Sequence, residues 1–187
     1  MDNTFYFLRH AETKPDRNMP ASKWVLSEEG MRAAEQLAES DIFNNVDIII
    51  SSVEEKAYQT AAPIAERLGK DIIRIWELNE LDRDAGGFLE KEEFDRTVNF
   101  AMTNLDKSLN GWETGEHALE RFSKVVDKIE AEYENKKILI VAHGCVINLY
   151  FAKLIGKLDE VNDRWKKTSF CSWGAVKDGK VIKDIVD

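Results

Sequence analysis

The sequence predicts an α/β fold with a largely parallel central sheet. Short apolar runs of strand length alternate along the chain with segments whose apolar residues recur at helical spacing. No Pro/Gly/Ser-rich linker divides the 187 residues, which include only three prolines and ten glycines. Because a typical domain has roughly 100 to 200 residues, we expect residues 1–187 to form a single domain.

Four runs rich in β-branched or aromatic residues predict buried strands, and a hairpin is predicted at the C-terminal end. The four runs are Thr4–Leu8, Val46–Ile50, Asp71–Trp76 and Ile138–Ala142. The last segment, Thr168–Val186, alternates apolar and polar residues around Asp178-Gly179, a pair typical of two-residue hairpin turns. Strands separated by helices favour parallel pairing, because parallel neighbours need a long crossover connection.

Five segments with helical periodicity separate or follow these strands. They are Ser27–Ser40, Ser52–Leu68, Glu92–Leu109, Thr114–Glu134 and Val146–Ile155. Ser27 is a predicted N-cap, since acidic residues follow it in the first turn. Ser52 and Glu55 match a capping box, and Gly69 is placed to end the helix that they open. Residues 77–90 are predicted to be loop.

The composition indicates a globular, acidic protein. Thirty-five acidic residues outnumber 26 basic ones, giving a net charge of −9 that repels nucleic-acid phosphates. No stretch approaches the ~20 apolar residues of a membrane helix, and the first residues lack a signal-peptide pattern. The two cysteines, Cys145 and Cys171, are expected to be reduced thiols. We therefore expect a cytoplasmic monomer or homodimer with no nucleic-acid or membrane partner.

Chemically active side chains follow the predicted strands directly. Arg9 and His10 follow the first strand, Lys56 lies one turn beyond the second, and His143-Gly144 follows the fourth. Ligands of open α/β sheets bind outside the carboxyl ends of the strands. Two of the three histidines in the chain are therefore predicted to meet arginine and lysine at one edge of the sheet.

Such a cluster is suited to phosphate chemistry. Arginine, lysine and the free N–H groups of a helix start bind a phosphate together. A neutral imidazole keeps a lone pair that attacks phosphorus, and a second, protonated histidine holds the phosphoryl oxygens. A nearby carboxylic acid, from Glu77 or Glu80 after the third strand, protonates the leaving oxygen. The pattern predicts transfer of a phosphoryl group to histidine and then to water.

Other site classes lack their residues. The sequence contains no GxxxxGK[ST], no GxGxxG after the first strand and no GxSxG. Neither cysteine is followed by arginine at the spacing of a cysteine phosphatase, and no closely spaced Cys or His residues suit zinc. A loop with the acids Glu77, Glu80, Asp82 and Asp84 offers oxygen ligands for Mg²⁺ but, apart from Glu80, is interpreted as solvated surface. We expect no metal and no cofactor.

Five segments together resemble the histidine phosphatase superfamily, the phosphoglycerate mutase-like family. Phe7–Thr13 resembles its R-H-G-[ED]-[ST] signature, and Leu26–Gly30 its L-T-x-x-G helix start. Ser51–Ala61 resembles S-S-P-x-x-R-A-x-Q-T-A, Leu78–Glu80 the segment with the proton donor, and Val141–Gly144 resembles V-S-H-G. The resemblance implies a phosphoglycerate mutase-like three-layer α/β/α sandwich that needs no metal.

The resemblance also implies roles for individual residues. His10 corresponds to the nucleophile that becomes phosphohistidine, and Glu80 to the general acid and base, with Glu77 as the competing donor. The residues that correspond to the phosphate-binding positions are Arg9, Lys56, His143 and Gly144. Four further residues are weaker candidates for substrate contacts near the mouth of the site, where surface or packing roles are equally compatible: Thr13, Arg17, Arg83 and His117.

Three residues depart from the family pattern. Ala11 replaces a glycine and adds only a methyl group, which we expect the fold to tolerate. Val53 replaces a proline at the helix start. Lys56 replaces an arginine, which keeps the charge but loses the bidentate fork, unless Lys56 is simply solvated surface.

The resemblance covers both phosphatases and mutases. The stretch Lys14–Asn18 lacks the W-N pair of the mutases, and the chain is short, with an expected open mouth through which water reaches the phosphoryl group. We therefore expect a metal-independent phosphomonoesterase acting through phosphohistidine on a small soluble phosphate. The alternatives are a mutase-type phosphotransferase, a phosphohistidine or phosphoprotein phosphatase, and a non-catalytic pseudophosphatase, to which only Lys56 points.

Overall fold

The computed structural model describes residues 2–186, which form one six-stranded sheet with helices on both faces. The strands are Thr4–Arg9 (β1), Ile48–Ser52 (β2), Ile72–Ile75 (β3), Lys137–Ala142 (β4), Trp173–Lys177 (β5) and Lys180–Lys183 (β6). The α-helices are Glu28–Glu39 (α1), Glu55–Leu68 (α2), Lys91–Thr103 (α3), Gly115–Glu132 (α4), Gly144–Leu154 (α5) and Val161–Lys167 (α6). The strand order is β3-β2-β4-β1-β5-β6, with parallel pairing from β3 to β1.

The central strand β4 shows why the fold has three layers. Successive residues of a strand point to opposite faces of its sheet. Ile138 and Ile140 belong to the core that includes α4 and α5, whereas Leu139 and Val141 belong to the core that includes α1 and α2. Both faces of the parallel strands are therefore covered by helices, which confirms the predicted α/β/α sandwich with its mostly parallel sheet.

The predicted hairpin and one predicted cap are confirmed. Asp178 and Gly179 form the two-residue turn between β5 and β6, both with positive φ, as a type I′ turn requires. The hydroxyl of Ser27 accepts the N–H of Gly30 and caps α1. The short helix α6 was not predicted, because its seven residues are mostly polar and show no apolar stripe.

The predicted capping box at Ser52 is wrong. The N-cap of α2 is Glu54, whose side chain makes no capping hydrogen bond. β2 instead continues to Ser52, and the Ser52 hydroxyl accepts the N–H of Glu54 and bonds the ring of His143. A side chain that matches a helix-cap motif is therefore used to link two strand ends. In addition, α5 begins at Gly144 rather than at Val146, so it starts directly after His143.

The segment after β1 is fixed by close packing against α1. Ser27 donates its N–H to the carbonyl oxygen of Glu12 (2.9 Å), and its hydroxyl bonds the Glu12 carboxylate (2.8 Å). A Cβ built on Gly30 would overlap the same carbonyl oxygen. Glycine at position 30 thus allows the first turn of α1 to approach the backbone that follows His10.

We expect Gly30→Ala to lower the free energy of unfolding by about 1–3 kcal/mol, because the added methyl group has no room. Helix propensity alone predicts the opposite, a gain of up to about 1 kcal/mol. Urea unfolding of both proteins measures the difference. Gln36→Ala, on the exposed face of the same helix, is the control and should change the value by less than about 0.5 kcal/mol. A stabilised Gly30→Ala protein would contradict the packing argument.

Candidate active site

His10 lies at the carboxyl end of β1 with its ring orientation fixed. The side chain is 7% exposed, and its Nδ1 lies 2.7 Å from the carbonyl oxygen of Ala11. A carbonyl oxygen only accepts hydrogen bonds, so Nδ1 carries the proton in this contact. Nε2 is therefore the ring nitrogen with a free lone pair, which is the state that a nucleophilic imidazole needs.

The backbone after His10 is anchored to α2. The N–H of Ala11 donates to the hydroxyl of Thr60 (3.0 Å), and that hydroxyl donates to the carbonyl oxygen of Lys56 (2.7 Å). The Ala11 methyl group is fully buried against Leu26 and Ala34. The fold thus accommodates alanine in place of glycine at this position, as the sequence predicted.

His143 meets His10 at the ends of two neighbouring strands. It follows β4, is the N-cap of α5, and is fully buried with its ring centre 5.1 Å from that of His10. Its Nε2 lies 2.7 Å from the hydroxyl of Ser52. Its Nδ1 is buried without a hydrogen-bond partner among residues 2–186. A buried nitrogen in that state is suited to contact a ligand.

The surroundings of both rings favour the neutral form. Burial lowers the pKa of His10 well below 6.5, and the neighbouring His143 and Lys56 lower it further. Burial also lowers the pKa of His143 well below 6.5, with the charges of Lys56 and Arg83 acting in the same direction. The protonated second histidine expected from the sequence is thus disfavoured here.

Arg9 lies against Gly144 and beneath an aromatic ring. Its Nη1 donates to the carbonyl oxygen of Thr168, and its Cζ lies 4.6 Å from the centre of the Phe170 ring. A Cβ built on Gly144 would lie 3.1 Å from Cζ and from Nε of Arg9, so glycine leaves the space that the guanidinium occupies. The Nε of Arg9 is buried and has no partner within the described part of the chain. The ring of Phe170 also lies over His10, at 5.6 Å.

Lys56 is part of a buried ion pair that the sequence did not predict. It is 2% exposed, so the alternative of a solvated surface lysine is wrong. Its ammonium group donates to the Glu54 carboxylate and to the carbonyl oxygen of Ala21 (2.8 Å). Glu54 also accepts the N–H of Glu80 (2.8 Å) and lies 3.7 Å from Nε2 of His143. In the sequence, the only indication of a role for Glu54 is its position two residues before Lys56.

Glu80 reaches the start of α5 beside His143. Its Oε2 accepts the N–H of Cys145 (3.0 Å) and its Oε1 the N–H of Val146 (3.2 Å). Glu77, the competing proton donor, has an exposed side chain. The structure therefore brings Glu80, and not Glu77, to the histidine cluster.

Arg121 holds the backbone that carries Glu80. This buried arginine of α4 donates to the carbonyl oxygens of Glu77, Asn79 and Glu80, at 2.7–2.8 Å, and pairs with Glu113. Burial raises the pKa of Glu113, but the hydrogen bonds from Arg121, from the N–H of Asp82 and from His117, with the charge of Arg121, together lower it. In the sequence, the indication of a role for Arg121 is its position on the buried face of α4. A buried charge without a partner is costly, so an arginine there indicates a bonded partner.

The sequence resembles those of known proteins. The sequence model of the histidine phosphatase superfamily (branch 1) matches residues 5–186. The chain belongs to this superfamily. It is 31% identical over 132 residues to the uncharacterized phosphatase PhoE of Bacillus subtilis (strain 168), a match that covers 70% of the chain and 65% of PhoE, just under two thirds of that relative's length. It is 29% identical over 162 residues to the probable phosphoglycerate mutase GpmB of Enterobacter sp. (strain 638), covering 81% of the chain and 74% of that protein.

Solved structures show the same fold at lower identity. A mycobacterial glucosyl-3-phosphoglycerate phosphatase in complex with VO3 matches with a TM-score of 0.80 and 22% identity, covering 97% of this chain and 96% of that one. A mutant phosphoserine phosphatase from Entamoeba histolytica, in complex with phosphoserine, matches with a TM-score of 0.78 and 19% identity, covering 97% and 94%. These likenesses identify the fold of this histidine phosphatase family member.

A large cleft reaches the candidate site. It has a volume of about 870 Å³ and is lined by Lys56, Glu80 and Arg83, but not by His10 or His143. The segment before α1 is joined to the segment after Glu80, because the N–H of Ser22 donates to the Asp84 carboxylate (3.1 Å). The sequence does not reveal this contact between loops, and the open mouth expected from the sequence stays a prediction.

The weaker candidates differ in position. His117 lines the cleft but is largely exposed, and its Nδ1 pairs with Glu113 at 2.6 Å. Arg17 is exposed, pairs with Glu90 at 2.6 Å and lines neither of the two cavities described here. Thr13 forms an antiparallel bridge with Leu26. Only Arg83 is both partly buried and on the cleft wall.

The described residues contain neither a candidate metal cluster nor a candidate membrane span. Within residues 2–186, no three His, Cys, Asp or Glu side chains are grouped so that they could hold a metal ion. No helix in the same range is both long and apolar enough to cross a membrane.

We expect His10 and His143 to remain neutral at pH 6.0, because burial and neighbouring cations disfavour the charged rings. Long-range ¹H–¹⁵N NMR of the imidazoles between pH 8 and pH 5 measures this, with assignments from H10Q and H143Q. His10 should show the Nδ1–H tautomer. The chain unfolded in urea is the control, since its histidines should titrate near the ordinary value of about 6.5. Half-protonation of either ring at pH 6.5 or above would contradict the prediction.

Proposed function

We propose that the chain is a phosphomonoester hydrolase that acts without a metal, through a phosphohistidine intermediate, on a small soluble phosphate. The observation that carries this proposal is the fixed tautomer of His10, whose Nε2 keeps its lone pair beside a second buried histidine. The unpartnered nitrogens of Arg9 and His143 support a phosphoryl group bound between them.

In the first step, Nε2 of His10 attacks phosphorus and the P–O ester bond breaks. The leaving oxygen takes a proton from the protonated carboxyl of Glu80, which leaves an alcohol and the phosphohistidine. In the second step, Glu80 accepts a proton from water as the water oxygen attacks phosphorus. The P–N bond breaks, its electron pair returns to Nε2, and phosphate is released.

The cations of the site stabilise charge on the transferred group. Arg9 and the N–H of Gly144 at the start of α5 are the proposed phosphoryl ligands, together with His143 as a neutral N–H donor. Lys56 is the second proposed cation. It serves in that role when the phosphoryl oxygens replace its present partners, Glu54 and Ala21.

A mutase-type phosphotransferase is the second candidate. The likeness to the probable phosphoglycerate mutase GpmB favours it. Hydrolysis is preferred because PhoE and the two similar structures are named phosphatases. Release of inorganic phosphate, rather than an isomeric phosphate ester, distinguishes the two.

We further propose that this reaction takes place in the cytoplasm. Both cysteines, Cys145 and Cys171, are free thiols rather than a disulfide. Free thiols are typical of a reducing compartment.

We expect wild-type protein to hydrolyse p-nitrophenyl phosphate in the presence of EDTA, and His10→Ala to lose at least about a thousandfold in rate, because the nucleophile is absent. Brief mixing with a ³²P-labelled substrate should give an acid-labile, base-stable protein label in wild type only. Equal rates for the two proteins would contradict the assignment of His10. Loss of wild-type activity in EDTA would contradict metal independence.

We expect Glu80→Gln to slow the hydrolysis of alkyl phosphates by about 10²–10⁴-fold, because their leaving oxygen needs a proton. The same variant should slow p-nitrophenyl phosphate far less, since nitrophenolate leaves without one. Glu77→Gln tests the competing donor and should retain the wild-type rates. Steady-state kinetics on both substrates measure the contrast. Equal losses on alkyl and aryl phosphates would show that Glu80 acts by another route than proton donation.

A further inference from the structure

Arg83 is a cation enclosed by aromatic rings. Its Cζ lies 4.8 Å from the ring centre of Phe94, 5.6 Å from that of Trp24 and 5.9 Å from that of Trp112. We call these three rings the aromatic frame. Cation–π contacts of this kind hold a guanidinium group in place but use none of its hydrogen-bond donors.

No polar partner balances this charge. Four arginines of the described chain are at least partly buried, and Arg9, Arg121 and Arg164 each bond a carbonyl or carboxylate oxygen. The Arg83 side chain donates no hydrogen bond and forms no ion pair within residues 2–186. A partly buried guanidinium with free N–H donors on a cleft wall is placed to bind an anionic oxygen ligand.

The two acidic residues next to Arg83 in the sequence accept hydrogen bonds from other groups. Asp84 accepts the N–H and the hydroxyl of Ser22, and Asp82 accepts the N–H of Asp84. Neither carboxylate lies within ion-pair distance of Arg83. The five N–H donors of its guanidinium are thus left for an oxygen ligand.

The position of Arg83 connects it with the phosphate-binding cations. It lines both the 870 Å³ cleft, together with Lys56 and Glu80, and a smaller apolar pocket of about 260 Å³ beside the aromatic frame. Burial lowers the pKa of Lys56 despite its Glu54 partner, and the charge of Arg83 adds to that effect. The charge of Arg83 therefore acts on the candidate site, whereas its own side-chain contacts are with the aromatic frame.

We propose that Arg83 binds a second anionic oxygen group, a carboxylate or a second phosphate, on the phosphate ester that this chain hydrolyses. This inference rests on the proposed function and adds a substrate class to it. A guanidinium binds either group through two parallel N–H···O bonds. The aromatic frame fixes the guanidinium beforehand, which reduces the entropy lost on binding.

The test compares esters that differ only in the second group. Inorganic phosphate release is measured for 3-phosphoglycerate and glycerol 3-phosphate, which lacks the carboxylate, and for propane-1,3-diol bisphosphate and propyl phosphate, which lacks the second phosphate. We expect wild type to favour the member with the second anionic group in at least one pair by about tenfold or more in kcat/KM. Arg83→Met should abolish that preference with little change for the esters without a second anionic group, and R83K should retain part of it.

Arg96→Met is the matched control. It removes the same charge from an exposed position of α3 that lines neither cavity, and it should keep the preference. A preference that survives in R83M overturns the proposal, as does a wild type without any preference. Equal losses on all four esters in R83M would assign Arg83 to the transferred phosphate and also overturn it.

A binding measurement separates this inference from the proposed function. Calorimetry with H10A, and with H10A combined with R83M, gives the dissociation constants of the same four esters without turnover. If no ester is hydrolysed, the proposed function fails, while a preference that depends on Arg83 in binding still supports the second anion site. If the esters are hydrolysed but bind H10A without any such preference, only the inference about Arg83 fails.

Discussion

The hydrogen bond from Nδ1 of His10 to the carbonyl oxygen of Ala11 is the constraint around which the site is arranged. It decides which ring nitrogen carries the proton, and it requires the backbone after β1 to stay in place. Thr60 holds that backbone from α2, and the Glu12 carbonyl is held from α1 by Ser27. Helices α1 and α2, which cover the same face of the sheet, thus fix the tautomer of His10 at the edge of the sheet.

Charge in the site is balanced by a buried ion pair rather than by solvent. Glu54 contacts Lys56, lies near His143 and holds the backbone N–H of Glu80. Burying two charges is costly, and removing either partner leaves the other uncompensated. The pair therefore links the proposed phosphate-binding cation, Lys56, with the proposed proton donor, Glu80. It also explains why lysine is compatible with a position that resembles one usually held by arginine, since a compact ammonium group fits between Glu54 and Ala21.

Much of the fold and the centre of the site could be predicted from the sequence, because strand ends are local features. The apolar runs placed His10 and His143 at the ends of β1 and β4, and register brought them together. Contacts across long sequence separations could not be predicted. Ser52 matched a local cap motif, but its partner is His143, 91 residues away. Arg121 bonds carbonyl groups some forty residues before it, which no periodicity reveals.

The same reasoning applies to the loops that line the cleft. A short chain with polar loops indicates open access, yet loop polarity is also what allows loops to bond one another. Ser22 and Asp84 are ordinary turn residues in the sequence, and together they join two segments of the cleft wall. Lys56 bonds the carbonyl oxygen of Ala21, in the same segment as Ser22. Since Lys56 also pairs with Glu54, one ammonium group couples the charge balance of the candidate site to the position of a loop that lines the cleft.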